Sequence, residues 1–359
     1  MNQELLRSFR NKINDKELIL HIFKNRYGRN KWSVICSAMD WIEVSIDEID
    51  VSNLSRKNDN QASIKMITFL SCVDVMWEAV QQLHRVLFDT KGIPFKDDFS
   101  VFNQKERDND FFKTIRACFA AHQINLKKVY PDDKDGELWF ASWSGGAFSH
   151  KDFSVILYSN NPDKESRFFD VSFSELYEFA EKRYNYLTVL MDRVDEIVEE
   201  YLDAFRKIPV KTGDDVISTV ELLLEENEQR FDNDYFKYEL LKIKRVFEVV
   251  ESESEQNIIV LDSYKDALEK ELEEIKDKLQ FMELDELEYQ VNDDIPMEIH
   301  YPFSKLSDAV WQDEYCLTFD YVFEVIKKYF AGVLEFDESM SQEEVYVLTC
   351  AGSYVVNNK

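Results

Sequence analysis

QASIKMITFLSCVDVMWEAVQQLHRVLF, residues 61–88, places Ile64, Ile67, Leu70, Val73, Trp77, Val80, Leu83 and Leu87 at steps of three and four. That recurrence lines one side of an α-helix with apolar side chains. Neither glycine nor proline interrupts the run, and a stripe this long leaves water only if other elements cover it. Its polar exceptions are Asp74, Glu78, His84 and Arg85. Such a helix implies a bundle around it.

The composition agrees. In 359 residues there are 8 Gly and 6 Pro against 27 Phe and 17 Tyr, and so few turn formers beside so much aromatic bulk suit long helices rather than a many-turned β fold. With 45% hydrophobic residues the chain can bury one large core or two smaller ones. The expected class is mainly α: a helical bundle with a small β-hairpin excursion, plus a second, acidic helical domain. No run reaches the roughly 18 apolar residues of a membrane span. MNQELLRSFRNKIND opens with a polar amphipathic pattern rather than a signal peptide, so a soluble, cytoplasmic protein is expected. The five cysteines, Cys36, Cys72, Cys118, Cys316 and Cys350, are odd in number and set among apolar residues, the usage of reduced, buried thiols without disulfides.

The net charge of −28 opposes nucleic-acid binding if spread evenly. It is not. Residues 1–212 hold 30 Lys+Arg against 34 Asp+Glu, a net of −4, whereas residues 213–359 hold 13 against 37, a net of −24. The change falls in RKIPVKTGDD, residues 206–215, where a proline and a glycine break helical patterns. A domain junction is therefore expected near 210, separating residues 1–210 from an acidic helical domain at 213–359.

Before residue 61, residues 3–27 read as one amphipathic helix carrying Leu5, Leu6, Phe9, Ile13, Leu18, Ile22 and Phe23. In residues 1–32 its exposed side is basic, with Arg7, Arg10, Lys12, Lys16, Lys24, Arg26, Arg29 and Lys31 against Glu4, Asp15 and Glu17. This is either a solvated face or a surface for RNA, for which Arg7, Arg10, Lys24, Arg26 and Arg29 are the candidates. After residue 88, KGIPFKDDFSVFN reads as a loop and FFKTIRACFAAH, residues 111–122, as a third helix. GELWFASWSGGAFSHKDFSVILYSN alternates aromatic with small or polar residues, which predicts a hairpin within 137–171. Trp139, Phe140, Trp143 and Phe148 there serve either hairpin packing or base stacking. A long helix resumes at DVSFSELYEF, where Ser172 and Glu175 have capping-box spacing.

Beyond 213 the signal is helical throughout: VISTVELLLEEN, YFKYELLKIKRVFEVV, SYKDALEKELEEIKDKL and YCLTFDYVFEVIKKYFAGVL. The closing EEVYVLTCAGSYVV fits helix or strand.

Chemistry concentrates in IRACFAAH. Arg116 and His122 stand six positions apart, so on an ideal helix they lie about 120° apart and converge only where the helix ends or kinks, or where a second copy completes the site. A neutral imidazole moves protons near pH 7, and a guanidinium holds phosphate oxygens through a planar fork. Plain structural roles also fit: His122 as a helix-end residue, Arg116 beside Asp110 or paired with Asp74. Asp74 and Glu78, one turn apart, either orient Arg116 or are helix-surface acids. G-x-G-x-x-G, G-x-x-x-x-G-K-[ST], G-x-S-x-G and H-E-x-x-H are absent from the sequence, and neither a metal site nor another cofactor is expected.

An Arg-x5-His run on the third helix of a bundle, with FFKTI before it, AAH at its end and a long helix after it, resembles the HEPN superfamily over roughly residues 60–205. Members carry an Arg-x4-6-His motif, commonly with a polar residue after the arginine, where this chain has Ala117. The resemblance implies metal-independent RNA cleavage by a homodimer, with Arg116 and His122 catalytic and a 2′,3′-cyclic phosphate product. It implies a toxin–antitoxin or phage-defence setting. The competing expectation is a non-catalytic interaction protein, an antitoxin, immunity or scaffold component, whose acidic C-terminal domain holds a protein partner.

Overall fold

The computed structural model describes residues 1–15, 17–55, 60–121, 123–127, 129–130, 133–143, 151–249 and 254–358. It is mainly α with a small antiparallel sheet, in two compact units, Met1–Glu200 and Tyr201–Lys359. The division falls inside one helix, upstream of the 206–215 stretch. Among the described residues no helix is long and apolar enough to cross a membrane.

The first unit is built on α4, Asn60–Leu87, which packs along α3, Trp32–Ile46. Met66, Phe69, Leu70, Val73, Met76, Trp77, Val80 and Leu83 of α4 are buried, as are Ile35, Ala38, Met39, Ile42 and Ile46 of α3. From Leu70 to Leu87 the buried stripe is the one read in the sequence, and it departs only in the first turns, where Ile64 is exposed while Met66 and Phe69 are buried. Burying a Leu, Met or Phe contributes on the order of 1.5–3 kcal/mol each, so the burial of these side chains is a large stabilising term for the unit.

The run 3–27 forms two helices rather than one, α1 at Gln3–Asn14 and α2 at Glu17–Lys24. The break falls at Asn14 and Asp15, whose short polar side chains compete with helical hydrogen bonds. After α2 the chain turns back at once. Tyr27 and Gly28 both have positive φ, 54° and 71°, and Arg26 and Arg29 bridge antiparallel across them, the geometry of a tight primed turn in which glycine removes the Cβ clash.

A loop over residues 88–107 leads to α5, Asp108–Arg116, which continues into a π turn at Ala117–Ala121. The expected hairpin is a larger meander: β1 Leu126–Lys127, β2 Leu138–Trp143, β3 Phe153–Ser159 and β4 Arg167–Val171, antiparallel and in sequence order. Trp139 pairs with Ser159, and Phe153 with Val171.

The helix expected from 170 onward is also divided, into α6 at Phe173–Tyr184 and α7 at Leu187–Arg206. Tyr184 Oη donates to Asn2 O and accepts from the Leu6 amide, while Tyr186 Oη meets His84 Nδ1 at 3.0 Å. A straight helix turns residues two apart by about 200°, and the break lets both tyrosines reach their partners. The capping box at Ser172 does not form. Asp152 takes the Phe173 amide at 2.9 Å and Lys151 takes Glu175 at 2.7 Å, leaving Ser172 Oγ on Ser174 Oγ.

The second unit contains α8 Val216–Phe231, α9 Lys237–Glu248, α10 Glu255–Phe281, α11 His300–Trp311, α12 Phe319–Tyr329 and α13 Gln342–Asn357. The closing segment is therefore helix, started by a reciprocal Ser341–Glu344 capping box. Its Gly352 is pressed against α12's end: a Cβ there would lie 2.6 Å from Leu334 Cδ1. Arg230, fully buried, binds Glu226 at 2.8 Å and donates to the carbonyls of Phe205, Leu279 and Ile208. Those bonds offset the desolvation of its charge.

Candidate functional site

Two anchors fix α5, the helix that carries Arg116. At its start the buried Asp108 carboxylate accepts from the amides of Val101 and Phe102 at 3.0 and 3.2 Å. Asn109 Nδ2 donates to Phe95 O at 3.0 Å, and its Oδ1 accepts from Arg183 Nε and Nη2 at 3.1 and 2.8 Å. Arg183 is fully buried, its guanidinium 3.4 Å above the Phe179 ring. Burial pushes its pKa down to about 10 against the opposing pull of Asp98 and Asp108, so it remains a cation at neutral pH.

At its end α5 opens into the π turn. Phe119 sits there with its ring 5.9–6.0 Å from those of Trp143, Phe153 and Phe169, which clamps the turn against the sheet. Cys118, buried beside it, has its thiol pushed up to about 12 by desolvation and is no nucleophile at neutral pH. Single π turns inside helices recur at functional sites because they re-aim the residues that follow.

Arg116 is the last residue of α5. Its Nη1 donates to Asp74 Oδ2 on α4, the two side chains being 35% and 36% exposed. Its Nε is enclosed, with no hydrogen-bond partner among the described residues. Asp110 pairs with Lys113 at 3.0 Å instead. Glu78 is held from its own helix: Gln82 Nε2 donates to Oε1 at 2.7 Å and Arg85 Nη1 approaches at 3.4 Å. The fold thus brings Asp74 to Arg116 and leaves Glu78 to Gln82 and Arg85. His122, the other half of the motif, lies outside the described residues.

Asp74 and Glu78 also line an open groove of about 550 Å³ between α3 and α4. Its apolar walls are Val34, Ala38 and Trp41 from α3 and Val75 and Ala79 from α4. Trp41 is 56% exposed.

No family model, curated protein or solved structure matches the chain.

The basic residues near the N-terminus do not form one free cationic face. Arg7 pairs with Glu4 at 2.7 Å, and Arg10 with Asp40 and Glu43 at 2.9 and 2.7 Å. Arg26 lies over the Phe23 and Tyr27 rings at 5.2 and 5.5 Å. Arg29 closes the tight turn, and Lys24 ends α2. Of the aromatic group, Trp139 is buried and donates from Nε1 to Asp133 at 3.0 Å, Phe140 and Trp143 are half-buried, and Phe148 lies outside the described residues. Among the described residues no group of three or more His, Cys, Asp or Glu is arranged to hold a metal ion.

The sequence did not point to Arg183, Asn109 or the His84–Tyr186 pair. The available signal was an arginine in KRYNY at a position that α6 turns inward, and an Asn beside the Asp that begins α5. His84 is half-buried against Phe88 and Tyr186, and burial, then the charge of Arg85, holds its pKa below the ordinary value.

Proposed function

We propose that the chain is a HEPN-like, metal-independent endoribonuclease of the kind found in toxin–antitoxin and phage-defence systems, acting as a homodimer. The observation that carries this reading is the setting of Arg116: a cation at the mouth of a π turn, fixed by α5's two anchors, one-third exposed and held, among the described residues, by one carboxylate. A guanidinium so placed is pre-oriented yet open to solutes, as a phosphate clamp has to be. Its pairing with Asp74 contributes at most about 1 kcal/mol at such exposure, so a phosphate can replace or share it. In this reading His122 takes the proton of a ribose 2′-OH and returns one to the leaving 5′-oxygen. Arg116 stabilises the charge that builds on the phosphorane oxygens, and Asp74 positions Arg116.

The test is incubation of the purified full chain with a mixed RNA pool, with and without EDTA. Cleavage that persists in EDTA and disappears in His122→Ala supports the assignment; an intact pool under all conditions removes it.

A second reading, a non-catalytic interaction protein, is favoured by the second unit's surface. Leu317 and Met297 are 94% and 84% exposed, and Tyr301, Tyr315 and Tyr321 are also exposed, within residues whose net charge is −24. Apolar side chains on an acidic surface suit a basic protein partner.

A further inference from the structure

The groove between α3 and α4 shares Asp74 with Arg116, yet the acid–base route leaves it unused. Its walls are largely apolar, with Ser33, Ser37 and Gln82 adding neutral polar atoms, and one wall is the open indole of Trp41. A trough with an aromatic wall receives a flat ring, and stacking on exposed aromatic side chains is the general means of holding single-stranded nucleic acid.

The two charged groups of the groove, Asp74 and Glu78, decide which ring. Asp74 and Glu78 are acceptors only. Asp74 Oδ2 holds a single donor, Arg116, and among the described residues neither Asp74 Oδ1 nor Glu78 Oε2 receives a hydrogen bond. The groove therefore offers unfilled anionic acceptors to a ring that brings N–H donors. Uracil presents one N–H between two carbonyl oxygens, which a carboxylate repels. Adenine and cytosine each set an amino group beside a ring nitrogen that is itself an acceptor. Guanine alone presents two donors side by side, N1–H and the 2-amino group, which both oxygens of one carboxylate accept together.

We infer that this groove is a guanine subsite on the path of single-stranded RNA. Trp41 stacks on the base, Asp74 accepts from N1–H and the 2-amino group, and Arg116, already on Asp74, takes an adjoining phosphate. The inference rests on the ribonuclease reading, because it sets the base beside the cation assigned to phosphate, and it adds a base preference that the reading does not contain.

The test measures fluorescence anisotropy of labelled single-stranded oligonucleotides with the full chain carrying His122→Ala, which prevents turnover. One probe is all uridine and the other has a single central guanosine. The guanosine probe is expected to bind about tenfold more tightly, near the low end of the discrimination that one bidentate base contact gives. Trp41→Ala should abolish the difference and Trp41→Phe should keep most of it. Trp41 is exposed enough for neither variant to threaten folding. Guanosine monophosphate alone should compete only weakly; binding as tight as the oligonucleotide's would assign the groove to a free nucleotide and overturn the RNA path. Equal affinity for both probes overturns the guanine subsite and leaves the ribonuclease reading standing. Binding of neither probe, with no cleavage by the wild-type chain, overturns both.

Discussion

Arg116, the last residue of α5, donates to Asp74 in the middle of α4, joining helices across 42 positions of sequence. The bond fixes the direction of the guanidinium while leaving about a third of each side chain in water. Asp74→Ala should therefore change catalysis more than stability. Single-turnover RNA cleavage is expected to fall tenfold or more, since misplacing a catalytic group by about 1 Å costs up to 100-fold. The urea midpoint should imply a loss of no more than about 1 kcal/mol. An unchanged rate would show that Asp74 does not position Arg116.

Phe119 should behave in the opposite way. It is fully buried among Trp143, Phe153 and Phe169, so Phe119→Ala is expected to cost about 3–5 kcal/mol, the range for deleting a core phenylalanine. Phe119→Leu should cost less because more of the space stays filled. Urea unfolding of the two variants checks this. A loss under about 1 kcal/mol for Phe119→Ala would mean that the sheet does not clamp the π turn.

His84 gives the first unit a pH dependence. Its folded pKa lies below the ordinary 6.5 because burial, then Arg85, disfavours the imidazolium. The unfolded chain thus takes up this proton at a higher pH than the folded chain does. This part of the stability is present above 6.5, falls as the pH drops from 6.5 to the folded pKa, and is level below it. His84→Gln should flatten that part of the curve, read from urea melts at about pH 8, 6 and 5. Parallel curves for wild type and variant would contradict the assignment.

The helix Asn60–Leu87 was legible because one period runs through it without interruption. What the period does not carry is where neighbours claim its residues. The break between Tyr184 and Leu187, and the loss of the Ser172 capping box to Asp152 and Lys151, follow from tertiary partners. Trp32–Ile46 carries no clear period because apolar side chains extend around much of that helix, Trp41 and Val44 being exposed while Ile35 and Ile42 are buried. Asp74 and Arg116 each stood out as polar exceptions in apolar runs. The groove did not, because it exists only where two helices lie side by side.

The acidic residues should weaken RNA capture. A chain ending after Arg206 omits residues carrying most of the net charge of −28, so it is expected to bind RNA more tightly than the full chain. The difference should shrink as salt rises and the Debye length falls from about 10 Å at 0.1 M. Filter binding at two ionic strengths, both chains carrying Arg116→Lys, measures it. Equal affinities for folded material would assign residues beyond 206 to a protein partner instead.

The most direct measurement is end-group analysis of RNA fragments made by the full chain in EDTA, comparing wild type, Arg116→Lys and His122→Ala. Wild type is expected to leave 2′,3′-cyclic phosphate ends, with a loss of about 100-fold or more in each variant, because a point charge does not replace a bidentate fork and alanine cannot transfer a proton. Full activity in either variant, or cleavage that appears only when Mg²⁺ or Mn²⁺ is added, would contradict it.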